Sequence, residues 1–179
     1  MNNEFYVVDY YISKSIDNAA LSILTSGHQI CEPKWLWGPG IRDMYLLHYV
    51  KTGRGIYQVN GKTYSLKAGD VFIIYPNTLV SYLADMEDPW EYYWVGFKGS
   101  MVTSLFFNTD FSPENPCLTF SEDLSPYIQQ ILQCKGQESY NQAEMTGHLY
   151  ILFSKMMREN KPKSKSKDYR KEYIFKVHE

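Results

Sequence analysis

Between Met44 and Phe97 the apolar positions recur with a period of two, in runs of five to eight residues, and after Gly99 they recur with a period near 3.6. The first pattern predicts half-buried β-strands and the second amphipathic helices. Strands are expected at about 44–50, 55–59, 62–66, 71–75, 80–84 and 90–97. Between them lie Lys51-Thr52-Gly53, Asn60-Gly61, Ala68-Gly69-Asp70, Pro76-Asn77 and Asp85 to Pro89, a spacing of turn signals that points to an all-β sandwich or barrel. Asn60-Gly61 is the clearest, since both residues tolerate the positive φ of a tight hairpin. On the last strand Trp90, Tyr92 and Trp94 share one face, and Tyr93, Val95 and Phe97 share the other, so both faces need cover.

Upstream, residues 5–12 have strand composition with weak alternation, and read as an edge strand or an arm across the mouth of the domain. Residues 19–31 read as a strand pair broken at Gly27, or as one strand with a bulge. Pro33 to Gly40 reads as a loop whose Trp35 and Trp37 either plug the core or line a pocket. Downstream, a short helix is expected within 100–107. A second follows with Ser125 as its cap, Pro126 at its first position and a stripe of Leu124, Ile128, Ile131 and Leu132. A third is expected from about Asn141, with Glu144 as capping partner, to Asn160. Along it Met145, Leu149, Leu152 and Met156 step by four, three and four. That is the seam of a coiled coil, able to pack the helix on its own domain or to pair two copies, while Phe153 and Met157 widen the stripe.

The 179 residues carry a net charge of −2, unevenly placed: residues 155–179 hold nine basic and four acidic side chains, which leaves −7 on the rest. An acidic body disfavours nucleic-acid binding by that body, and the basic stretch Lys161 to Lys167, interspersed with Pro and Ser, reads as a tether. Residues 168–179 regain helical character and then stop, as the first element of a further domain would. No apolar run is long enough to span a membrane and no signal peptide opens the chain, which predicts a soluble cytoplasmic protein with no membrane partner. Cys31, Cys117 and Cys134 are odd in number and lack metal-ligand spacing, and the four histidines are at least twenty residues apart. Phosphate-binding loops and nucleophile elbows are absent too, so no catalytic constellation, cofactor or metal is expected. Asp43 and Asp70 read as turn formers. What remains is a surplus of Trp and Tyr in the β region with isolated polar groups, Arg42, His48 and Gln58, a chemistry suited to holding a small ligand, sugars in particular.

The run Tyr45 to Val50, Gly53-x-Gly55, Asn60-Gly61, Leu66-x-x-Gly69-Asp70, the apolar strand into Pro76, Tyr82, and Pro89-Trp90-x-Tyr92-x-Trp94-Val95-x-Phe97 resembles the N-terminal cupin domain of AraC-family transcription regulators, the sugar-responsive branch. The resemblance implies a mainly β fold, a cupin-like double-stranded β-barrel (jelly roll) followed by an antiparallel helical pair. Residues 1–120 would form the effector-binding barrel with its arm, 121–160 the dimerisation helices, and 161–179 a linker and the start of a helix-turn-helix domain absent from this chain. The partners implied are a small carbohydrate effector, a second copy met through Met145, Leu149, Leu152 and Met156, and DNA only through that absent domain. Tyr82 and Trp94 match aromatic positions that contact sugar in arabinose-type members, and Tyr92 extends the wall. Arg42 would hydrogen-bond hydroxyls or else be a surface charge; His48 and Trp37 complete the candidate ligand-binding set, and Phe5 or Tyr6 of the arm would act as a plug. Where metal-binding cupins carry their histidines this chain reads GRGIYQV and PNTLVSY, against metal-dependent catalysis. The expectation is thus an effector-binding domain and no enzyme. The alternative is a metal-independent cupin enzyme, a sugar isomerase or lyase using His48 with Arg42 or Asp43. A barrel filled by its own side chains is the third reading.

Overall fold

The computed structural model of the chain describes residues 6–14 and 19–160. Two antiparallel sheets face each other. The larger has six strands: β1 (Tyr6–Ile12), β2 (Ser22–Ile30), β9 (Glu91–Lys98), β4 (Tyr45–Thr52), β7 (Asp70–Ile74) and β10 (Cys117–Thr119), in that spatial order. The smaller has four, in the order β3 (Leu36–Ile41), β8 (Leu79–Ala84), β5 (Arg54–Val59) and β6 (Lys62–Lys67). Few neighbours in either sheet are consecutive in sequence. That is the crossed connectivity of a jelly roll, and the mainly β class is as expected. Asn60 and Gly61 join β5 to β6 with φ of 51° and 72°, the left-handed pair the hairpin requires.

Two cores follow from the two-sided strands. Between the sheets Tyr57, Phe72, Ile74, Val80, Trp90 and Tyr92 are buried together. On the outer face of the larger sheet Ile23, Leu47, Val71, Ile73, Val95 and Phe97 meet the helices α1 (Val102–Phe107), α2 (Ser125–Gln133) and α3 (Ser139–Glu159). So Trp90 and Tyr92 face the sandwich interior, and Tyr93, Val95 and Phe97 face the helices, as the alternation on that strand requires.

On α3 the seam expected to pair two copies faces inward. Met145, Leu149, Leu152 and Met156 are completely buried in the chain's own core, so they hold α3 to its own sheet and are not free to pair two copies. The reason is the width of the surface to be covered: Phe153 packs edge-on against both Phe97 and Phe106 at ring distances of 5.8 and 5.3 Å, broadening the stripe beyond a single coiled-coil seam. Four smaller expectations also change. Residues 36–41 are a strand paired with β8, with a cis Gly38–Pro39 peptide inside it where the register shifts. Gly27 lies inside β2 and breaks nothing; its missing side chain makes room for the Trp94 indole, whose ring would sit 2.0 Å from an added Cβ. At the head of α2 it is Asp123 that accepts hydrogen bonds, from the backbone N–H and the hydroxyl of Ser125, at 3.0 and 2.7 Å. Helix α3 starts two residues early, with Glu138 and Asn141 forming the reciprocal cap. The basic tether and the helix expected after it lie outside the described residues, as does Phe5.

Candidate functional site

One end of the sandwich is not filled by its own side chains. A cavity of about 470 Å³ opens there, within the size range of small-molecule sites. Its floor is Tyr92 and Trp94 of β9 with Leu46 and His48 of β4, and one wall is Trp35, Trp37 and Tyr82. Arg42 and Met44 stand at the rim, and the opposite wall is Leu24, Thr25 and Gln29 of β2 with Val7, Tyr10 and Ile12 of β1. All six residues expected to bind ligand, Trp94, Tyr82, Tyr92, Arg42, His48 and Trp37, surround this one space. Gln58 does not: it is on the exposed outer face of the smaller sheet, bonded to Thr63 and Ser81.

The aromatic wall is layered. Trp37 stacks on Tyr82 at 5.3 Å and 14°, and the Arg42 guanidinium lies 4.4 Å from the Trp37 ring centre, a cation–π contact that draws the charge over the cavity rim. Trp94 donates its indole N–H to Thr25 at 3.2 Å, and the Tyr92 hydroxyl donates to Gln29 at 2.9 Å, so β2 fixes both floor rings in place. Burial pushes the pKa values of Tyr82 and Tyr92 well up, leaving both phenols neutral.

His48 is fully buried and stacked flat on Phe72 at 4.4 Å. Burial, with the Arg42 charge adding to it, pulls its pKa down to about 3, so the imidazole is neutral in the working range. Its Nδ1 and the Arg42 Nε are buried and have no hydrogen-bond partner among the described residues. Orphaned polar atoms beside an apolar cavity are what a hydroxyl-bearing ligand would satisfy.

Among the described residues no carboxylate lines the cavity. Asp43 points away, paired with Lys98 at 2.6 Å on the exposed side, and Asp70 is a turn former, accepting from the Lys67 N–H and the Thr119 hydroxyl. Of the two sets that a metal-independent enzyme would draw on, His48 with Arg42 is brought to the cavity and His48 with Asp43 is not. Among the described residues His48 is the one His, Cys, Asp or Glu side chain that lines the cavity. Among the described residues one group of three convergent metal-ligating side chains exists, Cys134, Glu144 and His148, and it lies away from the cavity, where α2 meets α3.

Tyr10, Thr25, Gln29 and Met44 are cavity residues that the linear pattern did not single out. Two bulges account for part of this. The β1–β2 register shifts between Val7 and Asp9, which puts Val7, Tyr10 and Ile12 on one face of β1. A second shift, between Ile23 and Thr25, turns both Leu24 and Thr25 to the cavity.

The description AraC-like ligand binding domain matches residues 22–153. The chain belongs to this family. Among curated proteins it is similar to the Msm operon regulatory protein of Streptococcus mutans, 30% identical over 86% of this chain and 56% of that protein. It is also similar to the raffinose operon transcriptional regulatory protein RafR of Pediococcus pentosaceus, 34% identical over 56% of this chain and 35% of that one. This AraC-like domain thus spans about half the length of the Msm operon regulatory protein. Solved structures of similar shape include a cupin 2 conserved barrel domain protein from Salinispora arenicola, at 18% identity over 51% of this chain and 73% of that one, with a TM-score of 0.40. The protein YhaK from Escherichia coli matches at 12% identity over 67% of this chain and 52% of that one, with a TM-score of 0.46.

Proposed function

We propose that this AraC-like domain is the ligand-sensing part of a transcription regulator and that its cavity takes a small carbohydrate, with DNA bound by a domain outside this chain. The observation that carries the reading is the cavity itself: aromatic faces for the C–H side of a sugar ring, orphaned His48 Nδ1 and Arg42 Nε for its hydroxyls, and no carboxylate among the described residues that line it. The names of the relatives, regulators of the msm and raffinose operons and a lactose operon transcription activator, support a saccharide as the effector. For such a ligand to act as a signal it must favour one arrangement of barrel and helices by about 1–3 kcal/mol. We propose further that self-association through the C-terminal helices, which the family resemblance implies, uses the outer side of α3; the exposure of Tyr140, Tyr150 and Ile151 there supports this.

The test is a titration of the chain with pentoses, hexoses and α- and β-galactosides, read by tryptophan fluorescence in the wild type and in Trp94→Ala. Saturable quenching by one saccharide, absent from the variant and without turnover of the sugar, is the expected result. Flat titrations across the panel remove carbohydrate from the proposal; conversion of the sugar revives the enzyme reading.

A further inference from the structure

Cys134 follows the last residue of α2 and is half-buried, apart from the cavity. Glu144 and His148 are four residues apart on α3, so they rise from one face of that helix, one above the other. A sulfur, a carboxylate oxygen and an imidazole nitrogen, one from each residue, come within 4.8 Å of one another. We propose that Cys134, Glu144 and His148 form a binding site for a divalent transition-metal ion of the zinc class, three protein ligands with a fourth position open to water.

The donor set selects the ion. Thiolate and imidazole together disfavour magnesium and calcium, which take oxygen ligands, and suit zinc or cobalt. Bond lengths of about 2.0–2.3 Å in a tetrahedral centre set the donors roughly 3.3–3.8 Å apart. The Glu144 side chain is exposed, which leaves it room to adjust toward that spacing. Two of the donors sit on a single helix and the third just past the end of α2. In the metal-free protein the Cys134 thiol is hydrogen-bonded with Glu144. On binding, the thiol gives its proton to solvent and the sulfur bonds the ion, while His148 and Glu144 donate lone pairs; no electron changes hands. The ion would pin the C-terminus of α2 to the second and third turns of α3.

The probe is Co²⁺, titrated into tag-free reduced full chain, because cobalt reports its ligands by colour. Saturation at one ion per chain is expected, with a thiolate-to-cobalt band in the near ultraviolet and tetrahedral bands in the visible, both erased by excess Zn²⁺. Cys134→Ser should abolish the near-ultraviolet band, and His148→Ala should weaken Co²⁺ affinity by about tenfold or more. Cys31 and Cys117 serve as internal controls. A charge-transfer band that survives Cys134→Ser, or titrations that never saturate in the wild type, overturns the site. Neither ligand is in the buried core, so the variants keep the fold, and far-ultraviolet circular dichroism verifies it.

Discussion

His48 shows how much one side chain can set in this molecule. It sits in the sandwich interior next to Phe72, Tyr82 and Tyr92, on the cavity floor, and is almost wholly removed from water. The unfolded chain takes up a proton there near pH 6.5, whereas the folded chain does so only at about 3. Between those values the unfolded state holds more protons, so this histidine's contribution to stability is complete above pH 6.5 and is lost as the pH falls. Chemical denaturation from pH 7 to 4 should show the wild type losing up to about 1.4 kcal/mol per pH unit from this group. His48→Phe, which keeps the stack on Phe72, should flatten the curve over that range. An equal slope in the variant would mean that other groups carry the acid sensitivity. At this scale the candidate site was partly legible. Trp94, Tyr92, Tyr82 and Trp37 announce themselves as aromatics on strands or beside turns, but whether they plug a core or wall a cavity depends on what stands opposite. What stands opposite is β2, two of whose residues, Thr25 and Gln29, fix the floor rings by hydrogen bonds from far along the chain.

Among elements, β1 and α3 are bound to each other by one buried amide. The Gln142 side chain accepts from the Ile23 N–H at 3.3 Å and donates to the Ile23 carbonyl at 3.1 Å and the Tyr11 hydroxyl at 2.8 Å. Gln137 adds a bond from its amide to the Ile12 carbonyl, and Lys135 pairs with Asp9. Gln142→Leu keeps the bulk and strips the partners from Ile23 and Tyr11. Each buried group so orphaned costs about 1–3 kcal/mol, so the urea midpoint should drop markedly and the Ile23 amide should exchange faster; unchanged exchange would show that α3 is held by its apolar stripe alone. The elements themselves were largely readable, because a period of two and a period of 3.6 are intrinsic to strand and helix. The errors sit where tertiary contact overrides local chemistry. Pro39 and its flanking glycines read as a loop but lie within a strand that pairs with β8 through Trp37 and Gly40, its register shifting between them, and Gly27 reads as a break but is the one residue type that lets Trp94 lie across β2.

Across the whole molecule the question is which apolar surface is spent inside the chain and which is left outside. The larger sheet presents a second apolar face, and α2 with α3 covers it, leaving Met145, Leu149, Leu152 and Met156 without exposure. Leu149→Ala should therefore cost about 2–5 kcal/mol of stability, the penalty for a cavity in a packed core. Ile151→Asp, on the exposed side, should leave stability nearly unchanged and lower the mass seen by sedimentation at high concentration. If Leu149→Ala instead yields stable monomers, the seam belongs between copies after all. A heptad-like spacing cannot reveal this from sequence, since a helix lying on a sheet and a helix lying on its twin need the same stripe.

The bulge in β1 puts Val7, Tyr10 and Ile12 toward the cavity while Asp9 and Tyr11 grip the helical corner, on opposite sides of one ribbon six ångströms or so of backbone long per residue pair. A ribbon gripped on both sides makes the two grips reciprocal. Whatever free energy the Gln142 and Lys135 contacts contribute to occupancy of the cavity, occupancy must return in equal measure to those contacts. Slackening the helical corner and emptying the cavity are then two readings of one equilibrium, and either end can serve as the gauge for the other.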